Sequence, residues 1–172
     1  SGVKTQLGHK KEPANGKKMK HNEISTYSYP GVWLVIPKGI LDGDIRLCPI
    51  EIKREDPKMP MYSFHDSACP LASWAELGLA VRARGIDPSK LYVRSGDGRY
   101  FGGTYKNGWV TARIRELGVA YGLAYDDRPP TVVKVGRNGW DDNDRLQFNV
   151  TDGESGVKSV KGYIDNEFIL FE

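Results

Sequence analysis

The sequence predicts an all-β protein built from two β-sandwich modules in series. Short stretches of alternating apolar residues recur along the chain, and 20 glycines and 10 prolines separate them. No segment shows helical periodicity over more than about ten residues. The segment DDRPP at 126–130 carries two adjacent prolines, which stiffen the backbone and remove two ladder donors, so we place the module boundary there.

Residues 1–30 are predicted to form a basic loop or disordered arm. Residues 1–21 hold six lysines against one glutamate, with no apolar periodicity. A polyanion-binding arm is the alternative interpretation of this charge. No aromatic residue interleaves with the lysines, so the segment lacks a stacking platform and no nucleic-acid partner is predicted. No apolar run approaches the roughly 18 residues of a membrane-spanning helix, so no span is predicted either.

The first module is predicted over residues 31–127. Its first strand lies within 31–41, where Val32, Leu34 and Ile36 alternate with Trp33 and Val35. One helical turn is expected over 70–78. Further strands are predicted within 44–55, 76–84, 91–95 and 119–125.

The clearest local signal in this module is the dipeptide Asn107–Gly108. Both residues accept positive φ at low cost, which favours a two-residue type I′ hairpin turn. Tyr105 and Trp109 flank the turn and are expected to form a cross-strand aromatic pair.

The second module is predicted over residues 128–172. It contains strands within 131–135 and 145–152, followed by a hairpin whose turn is the dipeptide DN at 165–166. About four strands bury too little surface to stand alone. The alternating edge EFILFE at 167–172 predicts a homodimer through this C-terminal strand edge, or an extensive interface with residues 31–125.

No catalytic, cofactor-binding or metal-ligating residue is predicted, so we expect neither an enzyme nor a bound cofactor. His9, His21 and His65 lack the spacing that places two imidazoles on one face of a helix or strand. His65 and Cys69 could form a thiol–imidazole couple, but residues so close in sequence usually point apart. Cys48 and Cys69 are either two buried thiols or one disulfide, and the sequence leaves both readings open.

Five acidic residues are expected in turns near the module boundary. Carboxylates gathered at such a junction can chelate Ca²⁺. Aspartate is also a common turn former whose side chain bonds local backbone, and this interpretation is favoured. The residues are Asp126, Asp127, Asp152, Glu154 and Asp165.

The second half of the chain resembles the C-terminal, non-catalytic β-sandwich region of lysostaphin-type zinc peptidases of Gram-negative bacteria. The shared pattern is a G-G-x-Y hairpin, an R-x-x-G-x-Y strand, D-x-x-P-P, D-x-x-S-G-I and I-D-G-x-W. Phe168 stands where that family usually has Trp. The matching residues are Gly102, Gly103, Tyr105, Arg115, Gly118, Tyr121, Asp127, Pro129, Pro130, Asp152, Ser155, Gly156, Val157, Ile164 and Asp165. Upstream, VWLVIPKGILDGDIRL resembles the same region and is also similar to the β-sandwich domain of ankyrins and netrin receptors.

This resemblance implies an immunoglobulin-like second module that is incomplete at residue 172. It also implies a non-catalytic accessory or binding module of a cell-envelope protein, located in the periplasm or envelope, including the outer membrane. Peptidoglycan or an envelope protein is then the expected partner. The family's zinc-ligand motifs, H-x-x-x-D and H-x-H, do not occur in this sequence. The alternative is a stand-alone envelope adhesion or protein-binding β-sandwich protein.

Overall fold

The computed structural model describes residues 16–52, 59–135, 147–157 and 159–169. The described part of the chain is all-β, as predicted, and its one helical element is the 3-10 turn Pro88–Lys90. This part contains no helix long and apolar enough to cross a membrane. The strands are β1 (Lys17–Met19), β2 (Ser25–Tyr29), β3 (Val32–Ile36), β4 (Ile45–Leu47), β5 (Ile50–Ile52), β6 (Met61–Ser63), β7 (Pro70–Ala80), β8 (Leu91–Ser95), β9 (Thr104–Lys106), β10 (Trp109–Glu116), β11 (Tyr121–Tyr125), β12 (Thr131–Lys134), β13 (Phe148–Thr151), β14 (Gly162–Ile164) and β15 (Glu167–Ile169).

Two compact units divide the chain, Ser1–Ala124 and Tyr125–Glu172. The sequence places its module boundary between residues 127 and 128, within the proline segment. The first unit contains a five-stranded sheet in the order β2-β3-β7-β10-β9 and a four-stranded sheet in the order β5-β6-β11-β8. Strands β1 and β4 form a separate antiparallel pair.

The core of the first unit is formed by the side chains that point inward from its sheets. Alternate residues of the five-stranded sheet are buried because successive side chains of a strand point to opposite faces. Each fully buried Leu or Ile contributes about 1.5–3 kcal/mol through removal of apolar surface from water. The four-stranded sheet and its connections add aromatic rings. The buried set includes Val32, Leu34, Ile36, Tyr62, Phe64, Ala75, Leu77, Leu79, Val93, Val110, Ile114, Tyr121 and Leu123.

The expectation of a helical turn over 70–78 is wrong, because this segment belongs to β7. Strand β7 lies between β3 and β10 and is antiparallel to both. Leu71 and Ala75 have the spacing of one helical face, and the local pattern therefore suggested a helix. Strand β3 pairs with Glu76–Leu79 and β10 with Pro70 and Ala75–Ala80, and such tertiary contacts override weak local propensity.

Two other segments differ from the sequence prediction. A basic loop was expected over residues 1–30, but β1 and β2 lie within its second half; residues 1–15 are outside the described part. Met19 is fully buried at the end of β1. This side chain supplies the apolar contact that the lysine-rich segment otherwise lacks. The single run predicted within 44–55 forms two strands, β4 and β5, which belong to different sheets.

The hairpin at Asn107–Gly108 is confirmed. Asn107 has φ 50° and Gly108 has φ 84°, as a type I′ turn requires, and β9 and β10 pair on either side. The expected cross-strand pairing of Tyr105 with Trp109 is wrong by one position. Trp109 lies opposite Lys106, whereas Tyr105 lies opposite Val110, so the two aromatic side chains are on opposite faces of the sheet.

The second unit consists of two antiparallel strand pairs, β12–β13 and β14–β15. The turn at Asp165–Asn166 is confirmed, with φ values of 50° and 69°. None of the described residues of this unit is buried. A two-stranded sheet is at best marginally stable by itself. The immunoglobulin-like character of this unit stays a prediction.

Candidate functional site

His21 takes part in an exposed charge cluster at the start of the first unit. Its Nδ1 lies 2.9 Å from Asp44 Oδ1, and its backbone N–H donates to the same oxygen at 3.1 Å. Lys18 Nζ lies 3.0 Å from Asp44 Oδ2. Hydrogen bonds from His21 and Lys18 hold the pKa of Asp44 well below its usual range. The cluster fixes the loop before β4, and it gathers no third metal-ligating side chain from the described residues. His9 lies outside the described residues.

His65 and Cys69 do not form a catalytic couple in the described part of the chain. The His65 ring contacts Ser67, with 3.1 Å between Nδ1 and Oγ, within its own turn. The backbone N–H of Cys69 donates to Glu116 Oε1 at 2.6 Å. Burial, together with the Glu116 charge, raises the pKa of the Cys69 thiol and so disfavours the nucleophilic thiolate. No disulfide joins Cys69 to Cys48; both are free thiols, as one of the two interpretations has it, but both are only partly buried.

The acidic residues near the boundary bond backbone amides in turns. Asp126 Oδ2 accepts the N–H of Ser155 at 3.0 Å, which ties two turns of the second unit together. Asp152 Oδ1 accepts the N–H of Glu154 at 2.8 Å and that of Gly156 at 2.9 Å. This is the turn-forming arrangement expected for aspartate. Asp127 is exposed, and Asp165 occupies the β14–β15 turn.

No three His, Cys, Asp or Glu side chains of the described residues are grouped so that they could hold a metal ion. The calcium interpretation of the boundary acids therefore has no ligand cluster among these residues.

Gly118 and Tyr121, matched above to the R-x-x-G-x-Y pattern but separated by two residues in this sequence, form a corner of the first sandwich. The Tyr121 hydroxyl, fully buried, donates to the carbonyl of Glu116 at 2.7 Å. A Cβ at Gly118 would lie 2.2 Å from the carbonyl oxygen of Ser67, so this position has room only for glycine. The Glu116 carboxylate accepts the N–H groups of Cys69 and Gly118, both at 2.6 Å. These motif residues hold the chain between β10 and β11 in place.

Three tryptophans lie on the outward face of the five-stranded sheet. Trp33 of β3 and Trp109 of β10 are half-buried, and their ring centroids are 6.5 Å apart. A Cβ at Gly78 would lie 2.1 Å from the Trp33 indole, so the glycine lets this ring lie across β7. Trp74 of β7 is 49% exposed, and the Arg115 guanidinium lies 5.5 Å from its ring centroid. We call this surface the tryptophan face.

Charged and hydroxyl side chains lie between these rings. Glu76 and Arg113 are directly opposite each other on β7 and β10, and both are exposed. Neither makes an ion pair or a side-chain hydrogen bond with another described residue. A shallow cleft of about 340 Å³ lies beside them, lined also by Thr104 and Thr111. The tryptophan face therefore combines aromatic rings with two charged side chains that no other described residue engages, whereas the Thr111 hydroxyl donates to the Thr104 carbonyl at 3.4 Å.

Sequence reasoning identified Trp33 and Val35 as one side of a strand but did not identify the tryptophan face. Its residues come from three strands that are distant in sequence, and only the register of β3, β7 and β10 brings them together. The available signal was Trp33 and Trp109 at outward positions of strands whose other face is apolar.

The second unit has a cleft of about 940 Å³ between its strand pairs. Its lining is mainly apolar, and most of the large side chains around it are exposed. The apolar lining residues are Val132, Val135, Phe148, Val150, Val160, Ile164 and Ile169, with Tyr163 beside them.

Comparison with known proteins gives one family match. The family model described as Zu5-like domain matches residues 16–126, which is most of the first unit. No curated protein and no solved structure matches the chain.

Proposed function

Because the chain belongs to the Zu5-like domain family, we propose that it is a non-catalytic accessory or binding module of a bacterial cell-envelope protein. The placement in the periplasm or envelope rests on the resemblance to the C-terminal region of lysostaphin-type zinc peptidases. The non-catalytic assignment rests on the sequence, which lacks that family's H-x-x-x-D and H-x-H ligand motifs. In this role the module positions a peptidase on its substrate or on an envelope partner.

The observation that carries this proposal is the tryptophan face. A sandwich needs apolar residues only toward its core, and large rings on the outward side lose the benefit of burial. Grouped exposed aromatic side chains of this kind mark interaction sites. Trp74 is nearly half exposed, and it lies next to Ala75, beyond which the pairing of β7 with β10 shifts register. A ligand that covers this ring would account for a tryptophan at an exposed position.

Co-sedimentation with isolated envelope fractions tests the proposal. The purified chain is mixed with Gram-negative peptidoglycan sacculi and, separately, with envelope protein extract immobilised on beads. We expect the chain to be retained by sacculi, whereas an unrelated β-sandwich protein of similar charge stays in the supernatant. Retention by neither material would overturn the proposal, as would cleavage of muropeptides by the chain alone.

The cleft of the second unit favours the alternative function, a stand-alone envelope adhesion or protein-binding protein. Its apolar lining resembles the desolvated centre of a protein interface, where charged residues are depleted. If the chain is retained by the immobilised envelope proteins but not by sacculi, that result would support this second function.

A further inference from the structure

We propose that the tryptophan face binds the glycan strand of peptidoglycan, with Trp74, Glu76 and Arg113 as contact residues. This inference rests on the proposed function and adds to it the binding surface and the class of ligand. It follows from the geometry of the rings, from two charged side chains between them that make no ion pair with another described residue, and from the composition of the rest of the face.

The rings are spaced along the strands, which suits an extended ligand. Trp33 lies over Gly78, and Trp74 is four residues away on the same strand β7. At the rise of a β-strand this separation is about 13 Å. Trp109 lies beside Trp33, so aromatic surface is present at both ends of the Glu76–Arg113 pair. A single small molecule cannot contact both ends, whereas a chain of sugar rings can.

The chemistry of a pyranose ring matches this alternation. One face of such a ring presents C–H groups, which are weakly positive, and the face of an indole is negative. The rim of the sugar carries hydroxyl and amide groups that both donate and accept hydrogen bonds. Glu76 supplies an acceptor and Arg113 a planar set of donors, and neither is engaged by other described residues. Thr104 and Thr111 border the same cleft.

Composition and charge argue against the other macromolecules that bind aromatic surfaces. A nucleic acid needs a run of cations along its phosphates. This face carries Lys106 and Arg113, but the exposed carboxylate of Glu76 lies at its centre, and Arg115 is held against the Trp74 ring and the Ala72 carbonyl. The centre of a protein interface is depleted of carboxylates, whereas Glu76 is exposed at the centre of this face. The described strands β3, β7 and β10 contribute one large aliphatic residue to the outward face, Val35. A hydroxyl-rich chain without a phosphate on every unit fits best.

Substitutions on the tryptophan face test the proposed binding surface independently of the proposed function. Trp74→Ala and Glu76→Gln remove an exposed ring and an exposed charge, so both variants are expected to fold. The matched control is Tyr105→Ala, because Tyr105 is 44% exposed on β9 of the same sheet but points to the opposite face. Circular dichroism and melting curves verify folding. Binding is measured with sacculi by co-sedimentation and with a soluble chitin oligosaccharide by titration calorimetry.

We expect Trp74→Ala to weaken binding of both probes about tenfold, and Glu76→Gln by a smaller factor, with Tyr105→Ala unchanged. If wild type binds sacculi and the folded variants bind them equally well, the tryptophan face is not the glycan site, although the proposed function stands. If Trp74→Ala abolishes capture of an envelope protein but leaves sacculus binding intact, the face docks a protein and the inference is wrong. If wild type binds neither sacculi nor envelope proteins, the proposed function itself fails.

Discussion

The hydroxyl of Tyr121 is expected to contribute measurably to the stability of the first unit. Its side chain is fully buried, and it donates to the carbonyl of Glu116 at 2.7 Å. The residue opposite Glu116 in the sheet is Pro70, which has no N–H to offer that carbonyl. Tyr121→Phe keeps the ring contacts with Phe64 and Phe101 and removes only the hydrogen bond. A buried acceptor left without its donor costs about 1–3 kcal/mol, so we expect a loss in this range.

The same substitution should change the response of the protein to alkali. Burial raises the pKa of Tyr121 strongly, because the neutral phenol is favoured inside the fold. A group whose pKa is raised on folding contributes stability that is present below its unfolded pKa and is lost as the pH rises above that value. For tyrosine this loss begins near pH 10. Tyr27 and Tyr62 also have raised pKa values, so the variant should lose stability less steeply than wild type but not become insensitive.

Urea unfolding at neutral pH and above pH 10 measures both effects. Tyr105→Phe is the matched control, because it removes a hydroxyl from a side chain that is already exposed and should change stability by less than about 0.5 kcal/mol. If Tyr121→Phe is as stable as wild type at neutral pH, the hydrogen bond does not hold this corner. If the free energy of unfolding of Tyr121→Phe falls above pH 10 as steeply as that of wild type, the pKa argument is wrong.

The remaining predictions concern the hairpin, bound metal and assembly. Gly108→Val should destabilise the protein by about 1–3 kcal/mol. Gly108 has φ 84° and open space around it, so the strain is in the backbone alone. The control is Gly43→Val, because the space around Gly43 is also open but its φ is not positive. Elemental analysis of protein purified without chelator should find well under one zinc ion per chain, and stoichiometric zinc would contradict the non-catalytic assignment. Light scattering is expected to show a homodimer joined through the C-terminal strand edge; a monomer whose residues 131–172 are protected from hydrogen exchange would count against it.

Local signals with a strong backbone requirement were predictable from the sequence. Asn107–Gly108 and Asp165–Asn166 both form tight turns at positive φ, because few residues accept that conformation and these do. The strand Val32–Ile36 also follows its alternating pattern, and Leu91–Ser95 forms the short strand that was predicted there. In each case the information lies within a few consecutive residues.

Features that depend on distant pairing were not predictable in the same way. The segment 70–78 gave a helical pattern because of its local spacing, but its partners β3 and β10 make it a central strand. Met19 becomes a core residue only through the pairing of β1 with β4. The tryptophan face has the same origin, since Trp33, Trp74 and Trp109 become neighbours through sheet register and not through a sequence motif.

The residues that carry the family resemblance and those that form the tryptophan face have different physical roles. Gly118 and Tyr121 are fixed by close backbone approach and by a buried hydrogen bond, so their replacement affects folding. Trp74, Glu76 and Arg113 are exposed, and their replacement leaves the core intact. A sequence pattern of the first kind therefore reports on the architecture of the sandwich, and the proposed binding surface lies outside that pattern. Two proteins that share the corner motif can bind different ligands, and the tryptophan face is the part of this chain where its own specificity has to be measured.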